Sequence, residues 1–398
     1  MGLKLRNIKG DKSLWVFIVF LMLFSILVVY SASSQLVMTY GNISSWQFTL
    51  KHAIMLGLGF LVMYIVHLMN EKTFLVASNL GIYLVIALLI FTLTRGYTIG
   101  GANASRWIFI PVVGSFQPST LAFLVLMMFT ARFIGRKKGR EMKLSEAFRK
   151  YWIWVFAIIG LIFPANLSTA ALMTVMVAMA LIIGGYPFKE LLKIGGISLA
   201  GVALLVLIFL AFPKLMPSRL ATWQSRIENH FNNEDETQDG KLVITDRNYQ
   251  EMHAKIAIAK GGLFKLNPGK STEKYFLPQS VSDFIFAIII EEYGLFGGLF
   301  VLFIYLIIAI KILLIARRQN DDYYKLLALA VGFPLIFQAL ANMLVAVGAL
   351  PVTGQPLPLL SSGGTSILIT AAAFGVILSV DRMNREKQQK DLNDFITE

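Results

Sequence analysis

Long apolar runs alternate with short polar segments along most of this sequence. Ten runs carry few or no charges, at about 14–33, 53–69, 75–93, 118–131, 151–163, 167–184, 194–212, 284–310, 326–347 and 363–380. Because a membrane-spanning helix needs about 20 apolar residues, the pattern predicts an all-α polytopic membrane protein with ten transmembrane helices. The stretch from 151 to 184 is too long for one crossing, and Pro164 and Asn166 mark the break that divides it into two.

Composition and charge support this fold class. The 398 residues are 56% hydrophobic and only 15% charged, which excludes an ordinary soluble enzyme. The formal net charge of +13 comes largely from Lys and Arg in segments such as 132–150, which lie on one side of the membrane if both termini are cytoplasmic. Nucleic acid is therefore not an expected partner. The chain has no cysteine and its four histidines are scattered, so the sequence predicts neither a disulfide nor a metal site.

Two segments differ from the apolar runs. Residues 213–280, between the seventh and eighth predicted spans, form a long extracytoplasmic loop whose aromatic and apolar residues are typical of structure that lies along a membrane surface. Residues 381–398 form a cytoplasmic tail of mixed charge, which is either solvated or bound to a partner. We expect a single membrane domain over residues 1–398, without an internal repeat.

The first polar stretch at the end of a span is GGANASRWIFIPVVGSFQPST, at 100–120. Arg106 adjoins Trp107, an arrangement that is typical of an interfacial anchor. Two interpretations remain open. The Arg106 side chain extends to lipid headgroups, or its planar guanidinium binds a phosphate oxyanion at the membrane face.

The second stretch, LPQSVSDFIFAIIIEEYGLFGG at 277–298, joins the long loop to the eighth span. One interpretation gives Asp283 a purely structural role. Ser282 would cap the helix, and Asp283 in the first turn would complement the helix dipole. Glu291 and Glu292 lie about 12 Å further along the same helix, where a carboxylate is costly and is usually functional or paired. At 100° per residue only one of them can share a cavity with Asp283, so we expect the other to pair with Arg or Lys from a neighbouring span.

The third stretch covers 338–366. Prolines at 351, 356 and 358 end the ninth span, and SSGGTS at 361–366 opens the tenth. Such a Gly/Ser segment either presents backbone N–H groups to an anion at a helix N-terminus or lets helices pack closely.

Several motifs occur in the order found in one bacterial family. They are YSAS at 30–33, NASRWI at 103–108, QPS at 117–119, NYQEMHAKIAIAKGG at 248–262, DFIFAIIIEEYG at 283–294 and GALPVTGQPLPLLSSGGTS at 348–366. On these motifs the chain resembles, over nearly its full length, the SEDS family of peptidoglycan polymerases, which contains FtsW and RodA. The ANASRWI segment is closer to the FtsW branch and PVTGQPLP to the RodA branch. The chain departs from the family at Thr120, Phe123 and Asn166, where an acid, a lysine and an aspartate are usual, so an intramembrane ion pair there is in doubt.

The resemblance implies a peptidoglycan glycosyltransferase that polymerises lipid II into glycan strands, with inversion and with release of undecaprenyl pyrophosphate. It implies a bacterial cytoplasmic (inner) membrane location, at the division septum for an FtsW-like role and in elongation for a RodA-like one. The implied partners are a class B penicillin-binding protein transpeptidase and other divisome proteins. No cofactor is evident, although the family's chemistry allows a divalent cation.

Within that reaction we predict that Asp283 is the catalytic general base, which accepts the proton of the attacking hydroxyl. Arg106 is the first candidate to stabilise the leaving pyrophosphate, and Lys270 and Lys274 are weaker candidates. The predicted supporting residues are Glu291 and Glu292, and the predicted substrate-binding residues are Arg106, Gln117, Ser119, Lys270, Lys274, Gln338, Asn342, Ser361, Gly363, Gly364, Thr365 and Ser366.

Two other classes of function stay open on the sequence. A flippase for lipid II would need a similar groove and also a charge-lined aqueous path through the bilayer, yet only Glu291 and Glu292 lie well inside a predicted span. A catalytically weak scaffold for division proteins would keep its complexes when Asp283 is removed, and its wild type would make no polymer.

Overall fold

The structure is a computed structural model of the chain, and it describes residues 9–34, 44–96, 106–110, 114–136, 142, 144–211, 237–238, 241–242 and 248–397. The α-helices in this part are α1 (Lys12–Ala32), α2 (Ser45–His67), α3 (Glu71–Arg95), α4 (Pro118–Gly135), α5 (Leu144–Ala147), α6 (Ile153–Ile162), α7 (Leu167–Ile183), α8 (Phe188–Ala211), α9 (Tyr249–Gly261), α10 (Ile285–Arg317), α11 (Asp322–Ala346) and α12 (Thr365–Thr397). A π-helical turn (Phe148–Trp152) joins α5 to α6, and a 3-10 helix covers Glu273–Tyr275.

Two short antiparallel hairpins complete the described elements. Strand β1 (Ile108–Ile110) pairs with β2 (Gly114–Phe116), with Phe109 opposite Ser115. Strand β3 (Thr237–Gln238) pairs with β4 (Lys241–Leu242). Of the predicted loop at 213–280, residues 213–236, 239–240 and 243–247 lie outside the described residues. Helix α12 continues into the predicted tail as far as Thr397.

Each of the ten predicted apolar runs overlaps a helix, and the helices fit a multi-pass membrane protein. Within the described ranges, seven helices are long and apolar enough to cross a membrane: α1, α2, α3, α4, α10, α11 and the Thr365–Phe395 part of α12. Helix α7 is apolar but shorter. The all-α membrane class is thus supported, and the count of ten crossings remains a prediction.

The predicted break near Pro164 is confirmed. Helix α6 ends at Ile162, and α7 begins after Asn166, whose Oδ1 accepts a hydrogen bond from the Thr169 N–H at 3.3 Å. Since Asn and Asp cap helices about equally well, Asn166 can supply the cap that an aspartate would supply at this position.

Contacts within the chain divide it into two compact units. The first contains Met1–Asn70, Asn229–Arg318 and Val331–Glu398, and the second contains Glu71–Glu228 and Gln319–Ala330. In the first unit α12 packs on α2 and α10, α1 packs on the same two helices, and α9 packs on α10. In the second unit α3 packs on α4 and α6, and α4 also packs on α7.

Helix α10 is interrupted at Gly294, whose φ of 73° and ψ of 178° are not helical. A Cβ there would lie 2.8 Å from backbone atoms of the segment 263–265, so only glycine fits. The N–H groups just after the break donate to the carbonyls of residues 262–263 at 2.9 and 3.3 Å, and the Asn267 N–H donates to the Glu292 carbonyl at 2.9 Å. The segment after α9 therefore satisfies the backbone groups that the break releases.

Candidate functional site

Asp283 lies in a tight turn immediately before α10. Gln279 adopts a φ of 58°, and its carbonyl accepts hydrogen bonds from the N–H groups of Ser282 at 3.0 Å and Asp283 at 3.1 Å. Helix α10 begins only at Ile285, without a side-chain cap. The alternative in which Ser282 caps the helix and Asp283 lies in its first turn is therefore wrong, because the left-handed residue at 279 bends the chain into a turn that ends before Ile285. Asp283 is half-buried there.

The segment that follows α11 lies against this turn. Gly354, with a φ of 68°, comes so close that a Cβ on it would be 3.6 Å from Oδ2 of Asp283. The Ser361 hydroxyl donates to the Ser282 carbonyl at 2.6 Å, and the Ser362 N–H donates to the Val281 carbonyl at 2.8 Å. The second and third polar stretches of the sequence thus form one site within the first unit.

Gln338 and Asn342 face the same site from α11. The Gln338 amide donates to the Pro356 carbonyl at 2.8 Å. The Asn342 amide donates to the carbonyls of Asp283 and Gln355, both at 2.8 Å. Both side chains therefore bind backbone of the site, and their predicted contact with substrate stays a prediction.

The start of α12 is held by bonds within the SSGGTS segment. Ser361 is buried, and its oxygen also accepts a hydrogen bond from the Leu357 N–H at 2.7 Å. Ser366 donates from its hydroxyl and from its N–H to the Gly363 carbonyl, at 2.9 and 3.0 Å. A Cβ on Gly363 would collide with the Ser366 hydroxyl as it is placed in this bond. Substrate binding remains a prediction for Ser361, Gly363, Gly364, Thr365 and Ser366.

Glu291 and Glu292 are each only 1% exposed and are bound by segment 271–273. Glu291 accepts hydrogen bonds from the Ser271 hydroxyl, from the N–H and hydroxyl of Thr272 at 2.8 and 3.0 Å, and from the N–H of residue 273 at 3.3 Å. Glu292 accepts from the Ser31 hydroxyl and from the Ser271 N–H at 3.2 Å. The expected Arg or Lys partner from a neighbouring span is wrong for the described residues. The donors to these carboxylates are N–H and hydroxyl groups of segment 271–273 and the Ser31 hydroxyl of α1, and Glu292 Oε2 has no hydrogen-bond partner among the described residues.

A second cluster fixes the same segment to α9, and the sequence analysis missed it. Glu273 accepts hydrogen bonds from Lys260 Nζ and binds His253 Nδ1, both at 2.6 Å. Burial raises the pKa of the Glu273 carboxyl, but the hydrogen bonds and positive charge of Lys260 and His253 lower it by more, so the pKa lies below its ordinary value. Spacing gave no signal for this cluster, since two members lie on α9 and the third lies up to 20 residues further along the chain.

Lys270 and Lys274 have different surroundings. Lys270 is exposed, as a contact with pyrophosphate would require. Lys274 is only 4% exposed, and its ammonium donates to the Gly269 carbonyl at 2.7 Å and to the Ser31 hydroxyl at 3.4 Å. These contacts favour a structural role for Lys274, and its contact with pyrophosphate stays a prediction.

Arg106, Gln117 and Ser119 belong to the second unit. The Arg106 Nε donates to the Ala165 carbonyl at 2.6 Å, which fixes the guanidinium beside the break between α6 and α7. Arg106, Ser119 and Asn166 line a cavity of about 20 Å³ with apolar residues of α3 and α6. That volume is enough for about one water molecule. Gln117 precedes α4 and makes no capping bond with its side chain.

Comparison with known proteins places the chain in a family. The FtsW/RodA/SpoVE family, described as cell cycle protein, matches residues 11–386. Stage V sporulation protein E of Bacillus subtilis (strain 168) is 27% identical over 389 residues, which cover 96% of this chain and 99% of that protein. The probable peptidoglycan glycosyltransferase FtsW of Geobacter sp. (strain M18) is 28% identical over 388 residues, with 96% and 99% covered.

Solved structures show the same fold. A chain of a peptidoglycan synthase complex that coordinates polymerization and crosslinking superposes with a TM-score of 0.69 at 21% identity, over 94% of this chain and 98% of that one. The rod shape determining protein RodA of Thermus thermophilus superposes with a TM-score of 0.65 at 22% identity, over 95% and 98%. The resemblance found in the sequence motifs is confirmed, and the chain belongs to the FtsW/RodA/SpoVE family.

Proposed function

We propose that this protein is a peptidoglycan glycosyltransferase that polymerises lipid II into glycan strands and releases undecaprenyl pyrophosphate. Its family membership and the relatives named as peptidoglycan glycosyltransferases support this activity. The observation on which the site assignment rests is the half-buried carboxylate of Asp283, held in a turn before a membrane-spanning helix and faced by the segment around Gly354.

Asp283 acts as the general base in this proposal. The 4-hydroxyl of the acceptor GlcNAc attacks the anomeric carbon of the donor MurNAc, and its proton passes to the Asp283 carboxylate. A new glycosidic C–O bond forms as the bond between the anomeric carbon and the pyrophosphate oxygen breaks, with inversion. The turn at Gln279 and the bonds around it hold Asp283 in place, and such positioning is itself a large contribution to catalysis.

Positive charge must compensate the pyrophosphate as it leaves. Arg106 is the proposed donor for this role, and the exposed Lys270 is a second one. The reaction needs no organic cofactor. Where a divalent cation shares the pyrophosphate charge, phosphate oxygens and water would supply most of its ligands. Within the described ranges no group of three or more His, Asp or Glu side chains could hold a metal ion.

The flippase alternative is not favoured. The relatives are named as glycosyltransferases. Glu291 and Glu292, the two carboxylates inside a span, are enclosed by hydrogen bonds of segment 271–273 and line no described aqueous path. A polymerase needs no such path, because its substrate stays at one membrane face.

Partner, location and cellular role follow from the same proposal. A peptidoglycan synthase complex among the structural neighbours supports a penicillin-binding protein partner, for which a class B transpeptidase is our choice. We place the protein in the bacterial cytoplasmic membrane with ten crossings and cytoplasmic termini. Its role is in division at the septum, together with other divisome proteins, and an elongation role is the second choice.

The decisive experiment measures polymer formation from purified lipid II. Wild type, Asp283→Asn and the control Glu146→Gln would each be assayed with and without the co-expressed transpeptidase. Glu146→Gln is a suitable control because it also removes one negative charge, from an exposed ion pair with Lys150. We expect strands from wild type and control, and only a small residual rate from Asp283→Asn. Polymer at wild-type rate from Asp283→Asn refutes the base assignment. If no sample makes polymer and the protein instead moves lipid II across a vesicle bilayer, the proposed polymerase activity is refuted.

A further inference from the structure

Two amide side chains lie one turn apart on α11, at Gln338 and Asn342. Residues four apart in a helix share a face, so both amides project toward the same segment. Gln338 Nε2 donates to the Pro356 carbonyl at 2.8 Å. Asn342 Nδ2 donates to the carbonyls of Asp283 and Gln355, both at 2.8 Å. We call Gln338 and Asn342 together the amide clamp.

The amide clamp binds the backbone on both sides of the Asp283 carboxylate. On one side Asn342 binds the backbone carbonyl of Asp283 itself. On the other side the clamp binds Gln355 and Pro356, the two residues after Gly354, whose Cβ position is 3.6 Å from Asp283 Oδ2. The Asn342 amide therefore links the backbone of Asp283 to the backbone segment that faces its carboxylate.

Asn342 does not have the surroundings of a substrate ligand. It is only 1% exposed, and its Oδ1 is buried without a hydrogen-bond partner in the part of the chain that the structure describes. A buried acceptor without a partner is destabilising, so stability alone does not account for an amide at this position. What Asn342 supplies are two donors, and both point at the backbone of the site.

We propose that Asn342 is a positioning residue for Asp283, supported by Gln338, and that neither side chain binds substrate. The inference rests on the proposed function, in which Asp283 is the general base. Catalysis by a general base requires hydrogen-bond reach to the proton it removes. A displacement of about 1 Å can lower a rate about 100-fold.

The test compares kinetic constants for lipid II polymerisation by the full chain with its transpeptidase partner. Asn342→Leu keeps the number and branching of the side-chain heavy atoms and lacks both donors. We expect its kcat to fall by about 10- to 100-fold with KM within about threefold of wild type, because ground-state binding does not use Asn342. A rise in KM with unchanged kcat would identify Asn342 as a substrate ligand and overturn the proposal.

Ser379→Ala provides a matched control. Ser379 is fully buried and donates to the Met69 carbonyl at 2.7 Å, so its loss also removes one buried bond from side chain to backbone. It lies about 21 Å along α12 from Thr365, at 1.5 Å per residue. Both kinetic constants should stay within about twofold of wild type. An equal fall in kcat for Ser379→Ala would show that any loss of buried bonding lowers activity, and that result would overturn the specific role of Asn342.

Gln338→Met covers the case in which Asn342→Leu does not fold. Gln338 is half-buried and makes one bond of the clamp, so the expected loss is smaller, about three- to tenfold in kcat with unchanged KM. A raised KM with normal kcat contradicts the proposal here as well.

A double mutant separates the positioning role from the base assignment. If Asn342 acts through Asp283, adding Asn342→Leu to Asp283→Asn should not lower the residual rate further, because the group that it positions is already gone. A full additional loss would overturn the positioning role and leave the base assignment intact. Wild-type activity of Asp283→Asn would instead refute the proposed base, whatever Asn342→Leu does.

Discussion

Replacing Gly294 with alanine should loosen the attachment of segment 262–267 to α10. The residue has φ 73° and ψ 178°, and an added Cβ would lie 2.8 Å from the Leu263 carbonyl oxygen and from the Lys265 nitrogen. Backbone atoms cannot swing away as a flexible side chain can. Either α10 straightens at residue 294 or the segment moves off it, and both changes break the hydrogen bonds that join them.

The magnitude follows from two contributions. Holding a non-glycine residue in this region of backbone space costs about 1–3 kcal/mol. Forcing a methyl group into a packed contact costs about 1–3 kcal/mol more. At the lower sum, about 2 kcal/mol, the opened population of the segment rises about 30-fold, since about 1.4 kcal/mol corresponds to a factor of ten.

Hydrogen exchange measures this opening directly. The N–H groups of Asn267, Leu295 and Phe296 donate across the junction, so their exchange should accelerate by about 30-fold or more in Gly294→Ala. Gly57→Ala is the control, because a Cβ at Gly57 in α2 meets no atom within 4 Å. Unchanged protection in Gly294→Ala would refute the reasoning that the break in α10 needs glycine.

Three further predictions concern the loop segment bound to α9, the backbone that faces Asp283, and the start of α7. The pKa of Glu273 is raised by burial and lowered by more through its two basic partners, to below its usual value near 4.5. The stability that this gives is present above the unfolded-state pKa and is lost as the pH falls through the folded-state pKa, so hydrogen exchange in 249–276 should accelerate below about pH 4.5 in wild type but not in Glu273→Gln. Gly354→Ala, at φ 68°, should cost about 1–2 kcal/mol of strain and lower kcat for lipid II more than it raises KM, because the new methyl lies against Asp283. Asn166→Ala should destabilise the start of α7 by about 1 kcal/mol and Asn166→Asp by less, as read from exchange of the Thr169 amide.

The apolar pattern was sufficient to predict where the helices lie. Each predicted run overlaps a helix, and the break near Pro164 appears where a proline and a capping asparagine indicate it. These features depend on local sequence, so the sequence alone predicts them. The family motifs likewise identified the stretch around Asp283 and the segment around Gly354 before any contact between them was known.

The sequence could not show how those two stretches meet. The contact depends on left-handed backbone at Gln279 and Gly354, and at Gln279 the residue type gives no signal for such a conformation. The alternative that places Asp283 in the first turn of α10 therefore starts the helix two residues too early. The roles of Gln338 and Asn342 were hidden for a related reason, since their partners are backbone carbonyls, which have no signature in sequence.

Glu291 and Glu292 show why a carboxylate inside a predicted span need not be catalytic. An isolated carboxylate in an apolar region is strongly destabilised, which is the basis for treating it as functional. Here the break at Gly294 lets the segment after α9 return to α10. That segment supplies N–H and hydroxyl donors to Glu291 and the Ser271 N–H to Glu292, which also accepts from the Ser31 hydroxyl of α1. Hydrogen bonds to a charged group are stronger than neutral ones, so the two side chains can anchor the segment that leads directly into the Asp283 turn. Their replacement by Gln should therefore lower activity through loss of order in 269–276, detectable as faster hydrogen exchange there. Loss of Asp283 should instead remove nearly all activity and leave that exchange unchanged.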